Sequence, residues 1–308
     1  MTDPVIITLA INGETSKKRN PHVPHKPEEI AADAIACFGA GVAVVHNHMG
    51  DINLTGPAAA ERYALAWAPI REAVPDAILC PTTQQAPDLD ERLNFLGPAK
   101  KAGARLASID PGVETFATSG ENGLPGAWRG CTDFSIDLVE RAFAIIGRLG
   151  LGISLGIYEP GFLRLVLAFK RAGVLPRGTI ANLYFGGDHN FLDGVKGGYT
   201  FGLPPTRKAL DAYVEMIGDS GITWGVAVPG GDLYETGLAR YAVEHGGHLR
   251  IGLEDHAADR QPTNLQLVEE VVGVCRAAGK RPASRAEAAR ILDLPSGSPR
   301  VVSRGDLA

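Results

Sequence analysis

The chain has 308 residues, of which 45% are hydrophobic and 21% charged; that is enough apolar material for a large core and excludes a disordered or fibrous chain. Its 35 acidic residues against 30 Lys plus Arg leave a net charge of −5, and the longest basic run is Lys17-Lys18-Arg19, so nucleic-acid binding loses its electrostatic footing. No run approaches the roughly 18 apolar residues of a membrane span, and Met1-Thr2-Asp3-Pro4 lacks the basic-then-apolar pattern of a secretory signal, so a cytoplasmic protein with no membrane partner is expected.

Apolar runs of strand length recur eight times, at Val5–Ala10, Val42–His46, Ile78–Pro81, Leu106–Ile109, Gly152–Ile157, Ile180–Phe185, Ile222–Val228 and His248–Leu253. A helix-length pattern follows each. In Lys26-Pro27-Glu28-Glu29-Ile30, Pro27 suits the first turn of a helix, and the two acids suit the positive end of its dipole. Continuous apolar strands alternating with helices mean a parallel sheet buried on both faces. Eight such units favour a (β/α)8 TIM barrel over a doubly wound sheet. A single catalytic domain over residues 1–294 is expected, with a polar tail over 295–308 that either packs on a neighbouring subunit or stays loose. Two stretches break the alternation, a polar loop at 11–25 and a Gly-, Thr-, Ser- and Pro-rich excursion at 110–131. Both follow strand C-termini, where barrel enzymes keep their active-site loops. Cys37, Cys80, Cys131 and Cys275 form no Cys-x-x-Cys and are expected to be reduced and mostly buried.

The chemistry begins at Val44-Val45-His46-Asn47-His48. Residues two apart on a strand point the same way, so His46 and His48 can offer two imidazoles to one ion, or simply be two polar residues at a strand end. An anionic third ligand is sought at another strand end. Glu254 and Asp255 close the eighth strand, with Arg250 sharing the parity of Glu254. An inward-facing Arg is costly unless paired, which favours a functional cluster over a surface Glu-Asp pair.

Ile7-Thr8-Leu9-Ala10-Ile11-Asn12-Gly13-Glu14, Asn20-Pro21-His22-Val23-Pro24, Val45-His46-Asn47-His48, and above all Gly246-Gly247-His248-Leu249-Arg250-Ile251-Gly252-Leu253-Glu254-Asp255 together resemble the β-keto acid cleavage enzyme family, over about residues 5 to 294. The resemblance implies a zinc-dependent TIM barrel, commonly a homotetramer, that exchanges acyl groups between a β-keto acid and acetyl-CoA by Claisen addition and its reverse. It also implies His46, His48 and Glu254 as metal ligands, Glu14, Arg250 and Asp255 around the reacting carbon, and Thr82 near the thioester. The physical reading agrees. A β-keto acid is a bidentate oxygen ligand for an open Zn2+ site, and Asp255, oriented by Arg250, is the expected base. Thr82, Thr83 or a backbone amide would meet the oxyanion.

Several positions depart from the family pattern. Gly50 stands where an Arg is usual, Thr82-Thr83-Gln84-Gln85 replaces a glycine-rich turn, and Gly231 replaces a second Arg. Gly156, in Leu155-Gly156-Ile157-Tyr158, replaces a carboxylate that would meet a substrate amine, so a neutral or apolar β-keto acid is expected; Glu159 or Glu114 would have to take over that role for an aminated one. The pairs Gly186-Gly187 and Gly230-Gly231 could bring backbone amides to CoA phosphates or make tight turns. His22 and His25 are expected at the surface, and Trp67, Trp128 and Trp224 in the core or an interface. Two other readings stay open: a metal-dependent aldolase or hydrolase that needs no CoA, and a barrel that binds a ligand without turnover.

Overall fold

The structure, a computed structural model, describes residues 3–295. Eight parallel strands form the barrel: β1 (Ile7–Ala10), β2 (Val44–Asn47), β3 (Ile78–Pro81), β4 (Leu106–Ile109), β5 (Gly152–Ile157), β6 (Thr179–Tyr184), β7 (Thr223–Ala227) and β8 (His248–Ile251). Hydrogen-bonded neighbours run β3-β2-β1-β8-β7-β6-β5-β4. Between the two ends of that series, a parallel bridge pairs Leu79 with Ala104, and the Arg105 N–H donates to the Leu79 carbonyl at 2.9 Å. The ring is thereby closed, in a single domain.

The strands are apolar throughout because both faces are covered. Ile7, Leu9, Val45, Leu79, Ile153, Leu155, Leu183, Val226 and Leu249 pack outward into the layer shared with the helices. Their alternates Val44, Ile78, Cys80, Leu106 and Ile180 belong to a second, inner cluster. The helices between strands start where the chain supplies a cap or a proline. Helix Pro27–Ala40 has Pro27 in its first turn, and the Glu29 carboxylate accepts the His25 N–H at 2.9 Å. Ser135 caps Ile136–Leu149, Thr206 caps Arg207–Ile217, and Thr263 caps Asn264–Ala277.

The final helix, Arg285–Ile291, does more than continue the alternation. Ser284 and Glu287 form its capping box, and Ala283, Ala288, Leu292 and Leu294 join the inner cluster. A parallel pair, Pro4–Val5 with Arg281–Pro282, leads into it. The helix therefore plugs the N-terminal end of the barrel, leaving the C-terminal end open for chemistry. Residues 296–308, and with them nearly all of the expected tail, lie outside the described residues.

At the open end, the 110–131 excursion is an antiparallel hairpin of Thr115–Ser119 with Pro125–Cys131. Asn190, in the loop after β6, donates from its side chain to the Ala117 carbonyl at 2.7 Å and to the Tyr199 carbonyl at 2.8 Å. Cys37, Cys80 and Cys275 are buried free thiols, and Cys131 is an exposed one. Trp67 and Trp224 are buried, whereas Trp128 is exposed on the hairpin. Among the described residues, no helix is long and apolar enough to cross a membrane.

Candidate active site

Strand β8 ends at Ile251, and Gly252 to Asp255 form a turn, with the Asp255 and His256 N–H groups both donating to the Gly252 carbonyl at 3.1 and 2.9 Å. This corrects the expected strand end at Leu253. Gly252 has φ +141°, and any Cβ there would run into the Ala10 backbone; a side chain at Gly13, with φ +53°, would strike that of Glu254. Both glycines are needed for β1 and β8 to bring their loops this close. The turn also ends the strict alternation of side chains, so Arg250 reaches both acids. Its Nη2 donates to Glu254 Oε1 at 2.7 Å and to Asp255 Oδ1 at 3.2 Å, and its Nε donates to Asp255 Oδ2 at 3.0 Å.

The other oxygen of Glu254 faces the two histidines. Oε2 lies 3.3 Å from His46 Nε2 and 3.8 Å from His48 Nε2. It is buried with no hydrogen-bond partner among the described residues, an arrangement that is costly without a further positive group. The three donor atoms lie within 4.8 Å of one another. Two imidazole nitrogens and an orphaned carboxylate oxygen fit a divalent cation with open positions. Burial opposes the ionised form of Glu254, but His46, Arg250 and His48 outweigh it and hold the carboxyl below its usual range. Burial lowers the pKa of His46 despite Glu254, favouring the neutral ring that a metal requires.

Glu14, expected around the reacting carbon, meets His48 Nδ1 at 3.0 Å. A carboxylate there fixes the tautomer and frees Nε2 for a metal. Asn12 escaped the sequence reading, yet its Oδ1 accepts the His48 N–H at 2.9 Å and its Nδ2 donates to the His48 carbonyl at 3.1 Å. Asn264 is another such residue. Its Oδ1 accepts the Leu253 N–H at 2.9 Å and its Nδ2 donates to the Ile11 carbonyl at 2.8 Å, tying the β8 turn to the end of β1. Arg19 joins loops in the same way, donating to the carbonyls of Phe191 at 2.9 Å and His256 at 2.6 Å. Asn12 lies inside a stretch that carries the family resemblance, but spacing along the chain gives none of these residues its partners.

A cavity of about 1150 Å³ opens above the metal-ligating corner; Glu14, His46, His48, Thr82, Arg250 and Glu254 all line it. Thr83 donates its hydroxyl to the Ser108 carbonyl, and Thr82 lines the cavity. Asp255 borders a small cleft behind Arg250 instead. Burial pushes its carboxyl up from the usual range, with Arg250 opposing.

The glycine pairs turn out differently from a phosphate cradle. The N–H groups of Gly186, Gly187, Gly230 and Gly231 donate to the carbonyls of Leu203, Pro229, Asp255 and Val228 at 2.8–3.1 Å. A Cβ on Gly187 would collide with the Gly230 backbone. The two pairs let the loops after β6 and β7 touch, and their amides are already engaged.

The expectation of a neutral substrate rested on Gly156 lacking a carboxylate. A carboxylate from another strand stands beside that position: a Cβ on Gly156 would collide with Oδ1 of Asp110, which follows β4. Glu114 instead accepts the Thr115 N–H at 2.7 Å within the hairpin.

The barrel's open end carries a His, His, Glu donor set able to hold a metal ion, backed by an Arg-Asp pair, as in a barrel enzyme with its site at the C-terminal end of the strands. Residues 4–294 match the beta-keto acid cleavage enzyme family, and the chain belongs to it. It is 28% identical over 299 residues to a 3-keto-5-aminohexanoate cleavage enzyme of Fusobacterium nucleatum, covering 96% of this chain and 99% of that one. It is 29% identical over 304 residues to a 3-oxoadipate:acetyl-CoA acetyltransferase of Cupriavidus necator, covering 96% and 97%. The apo structure of ObcA shares the fold with a TM-score of 0.65 at 16% identity, over 90% of this chain and 66% of that one.

Proposed function

We propose that the protein exchanges acyl groups between a β-keto acid and acetyl-CoA, forming and cleaving carbon–carbon bonds by Claisen chemistry. The observation that carries this reading is the orphaned Glu254 Oε2 facing His46 and His48 beside the paired Arg250 and Asp255, in a chain of this family. A divalent metal, assigned here as zinc, would be held by His46, His48 and Glu254 and would supply Lewis-acid polarisation of the keto acid's oxygens.

The chain's own groups account for the rest. Glu14 and Asn12 hold the His48 ring in place. We assign the proton on the carbon between the two carbonyls to Asp255, whose raised pKa suits a base. Transfer to Asp255 requires Arg250, which holds both of its oxygens, to exchange one of those bonds for a bond to substrate. Catalytic contacts commonly tighten only once substrate is bound. Thr82 is placed to donate to the oxyanion that forms at the thioester carbonyl. The cytoplasmic setting and the homotetramer belong to this same reading. Exposed Val113, Leu124 and Trp128 around the hairpin offer apolar surface for a second copy.

The test is a panel of β-keto acids incubated with acetyl-CoA and with free acetate, following new acyl-CoA by mass. Acyl-CoA appearing only with the thioester supports acyl exchange. Cleavage at the same rate without CoA would make the protein a metal-dependent hydrolase or aldolase, and no turnover of any keto acid would leave a binding protein.

A further inference from the structure

The wall of the cavity across the barrel from the metal ligands holds an acid with no partner. Asp110 lines the cavity, and no hydrogen bond or ion pair involving another described residue reaches its carboxylate. By contrast, the two acids on the other side share Arg250. Burial pushes the Asp110 carboxyl up to about 7. Asp110 is half-buried at the cavity surface, and a carboxylate with a strongly perturbed pKa facing a cleft is where a ligand or a reaction commonly uses it.

Its surroundings are aromatic. Phe116, Tyr158, Tyr184 and Phe191 line the same cavity. The Tyr158 and Tyr184 rings meet edge to face at 4.8 Å, and Phe116 approaches Tyr158 at 5.3 Å. Tyr184 already faces one cation, its ring lying 5.3 Å from the guanidinium carbon of Arg250. Gly156 provides the room: a side chain there would displace the carboxylate of Asp110. Aromatic faces and a lone carboxylate recognise the same thing, a positively charged nitrogen. A neutral chain would gain from the rings alone and leave the acid unpaired.

The geometry points to Asp110 as the specificity-determining residue of this enzyme, recognising, with the rings of Phe116, Tyr158 and Tyr184, a cationic nitrogen at the far end of the β-keto acid. The inference rests on the acyl-exchange reading for the identity of the ligand's other end. It places the charge-recognising acid on β4, one strand away from the Gly156 position.

Two β-keto acids of one length, ending in trimethylammonium or in the isosteric tert-butyl group, isolate the charge. Binding to the full-length protein is read by calorimetry, and kcat/KM with acetyl-CoA is read in parallel. The expected result is tighter binding of the cationic acid by at least about tenfold, within the scale of one partly desolvated charge pair, falling most of the way towards parity in Asp110→Asn. Asp110→Ser gives the same reading if the Asn variant folds poorly. Equal or better binding of the tert-butyl acid by the wild type overturns the proposal. So does a cation preference that survives both variants. Cation-selective binding with no acyl exchange would leave the subsite standing and remove the acyl-exchange reading instead.

Discussion

The β8–β1–β2 corner of the barrel mouth and the β4–β5 wall across from it handle charge in opposite ways. At the corner the ionised groups face one another: Arg250 spans Glu254 and Asp255, Glu14 meets His48, and Glu254 Oε2, which like His46 Nδ1 has no hydrogen-bond partner among the described residues, faces two imidazoles. At the wall, Asp110 sits among aromatic rings, with no hydrogen bond or ion pair to its carboxylate among the described residues. The chemistry shared by a family needs groups held rigidly before substrate arrives, so the protein satisfies them itself. A subsite that reads the variable end of a substrate has to leave its group for the substrate to satisfy. On the proposed reading, pairing separates the reacting end of the cavity from the selecting end.

The severest way to break the comparison is to remove a corner ligand. His46→Ala is expected to lower metal affinity by orders of magnitude, because each ligand helps preform the site. Elemental analysis after dialysis reads this directly, and a variant that keeps full occupancy would sink the ligand assignment. Next in size, Asp255→Asn is expected to keep its metal while turnover drops at least about 100-fold; turnover close to wild type would move proton transfer to Glu14. Arg250→Lys should also lose turnover, since an ammonium cannot reproduce the two-sided hold on Glu254 and Asp255.

Glu14→Gln is a gentler cut into the same corner. Losing the carboxylate behind His48 is expected to cost about 10- to 100-fold in metal affinity, measurable by competition with a chromogenic chelator; an unchanged affinity would reduce the Glu14 contact to an incidental one. On the wall, Gly156→Ala sharpens the contrast. Its Cβ collides with Asp110, so KM for the keto acid should rise while metal content stays at wild-type level. Loss of metal in that variant would mean the two regions are not independent.

The smallest effect is one of pH on stability. The Asp110 carboxyl holds its proton to about pH 7 in the folded chain, against about 4 in an unfolded one. Between those values the folded state carries the extra proton, so stability from this group falls as pH rises through the window. Asp110→Asn cannot ionise. Its melting temperature relative to wild type should therefore climb from pH 4 to pH 8; a difference that stays flat would show the carboxyl titrating normally.

Much of the barrel and its reacting corner could be read in the sequence because each part is local. Eight apolar runs mark eight strands, since each strand in a closed parallel barrel is buried on both faces. His46 and His48 sit two apart on one strand, and Arg250, Glu254 and Asp255 lie within six residues. Alternation gave Arg250 the parity of Glu254, and Asp255 was expected to be oriented by the same Arg250. The turn after Ile251, permitted by Gly252, made it hold both acids.

What only the tertiary structure decided depends on residues distant along the chain. The closing helix reads as one more short helix until Ala288 and Leu292 are seen inside the barrel's lower end. The glycine pairs read equally well as a phosphate cradle or a tight turn; their amides prove to be engaged where two loops touch. Gly156 by itself means a missing acid. Asp110, 46 positions earlier in the chain, brings a carboxylate beside that position from the end of the neighbouring strand. Spacing along a chain reports which side chains share a face of one element. Which faces meet across a barrel is set by closure of the sheet, and no single stretch of sequence carries that information.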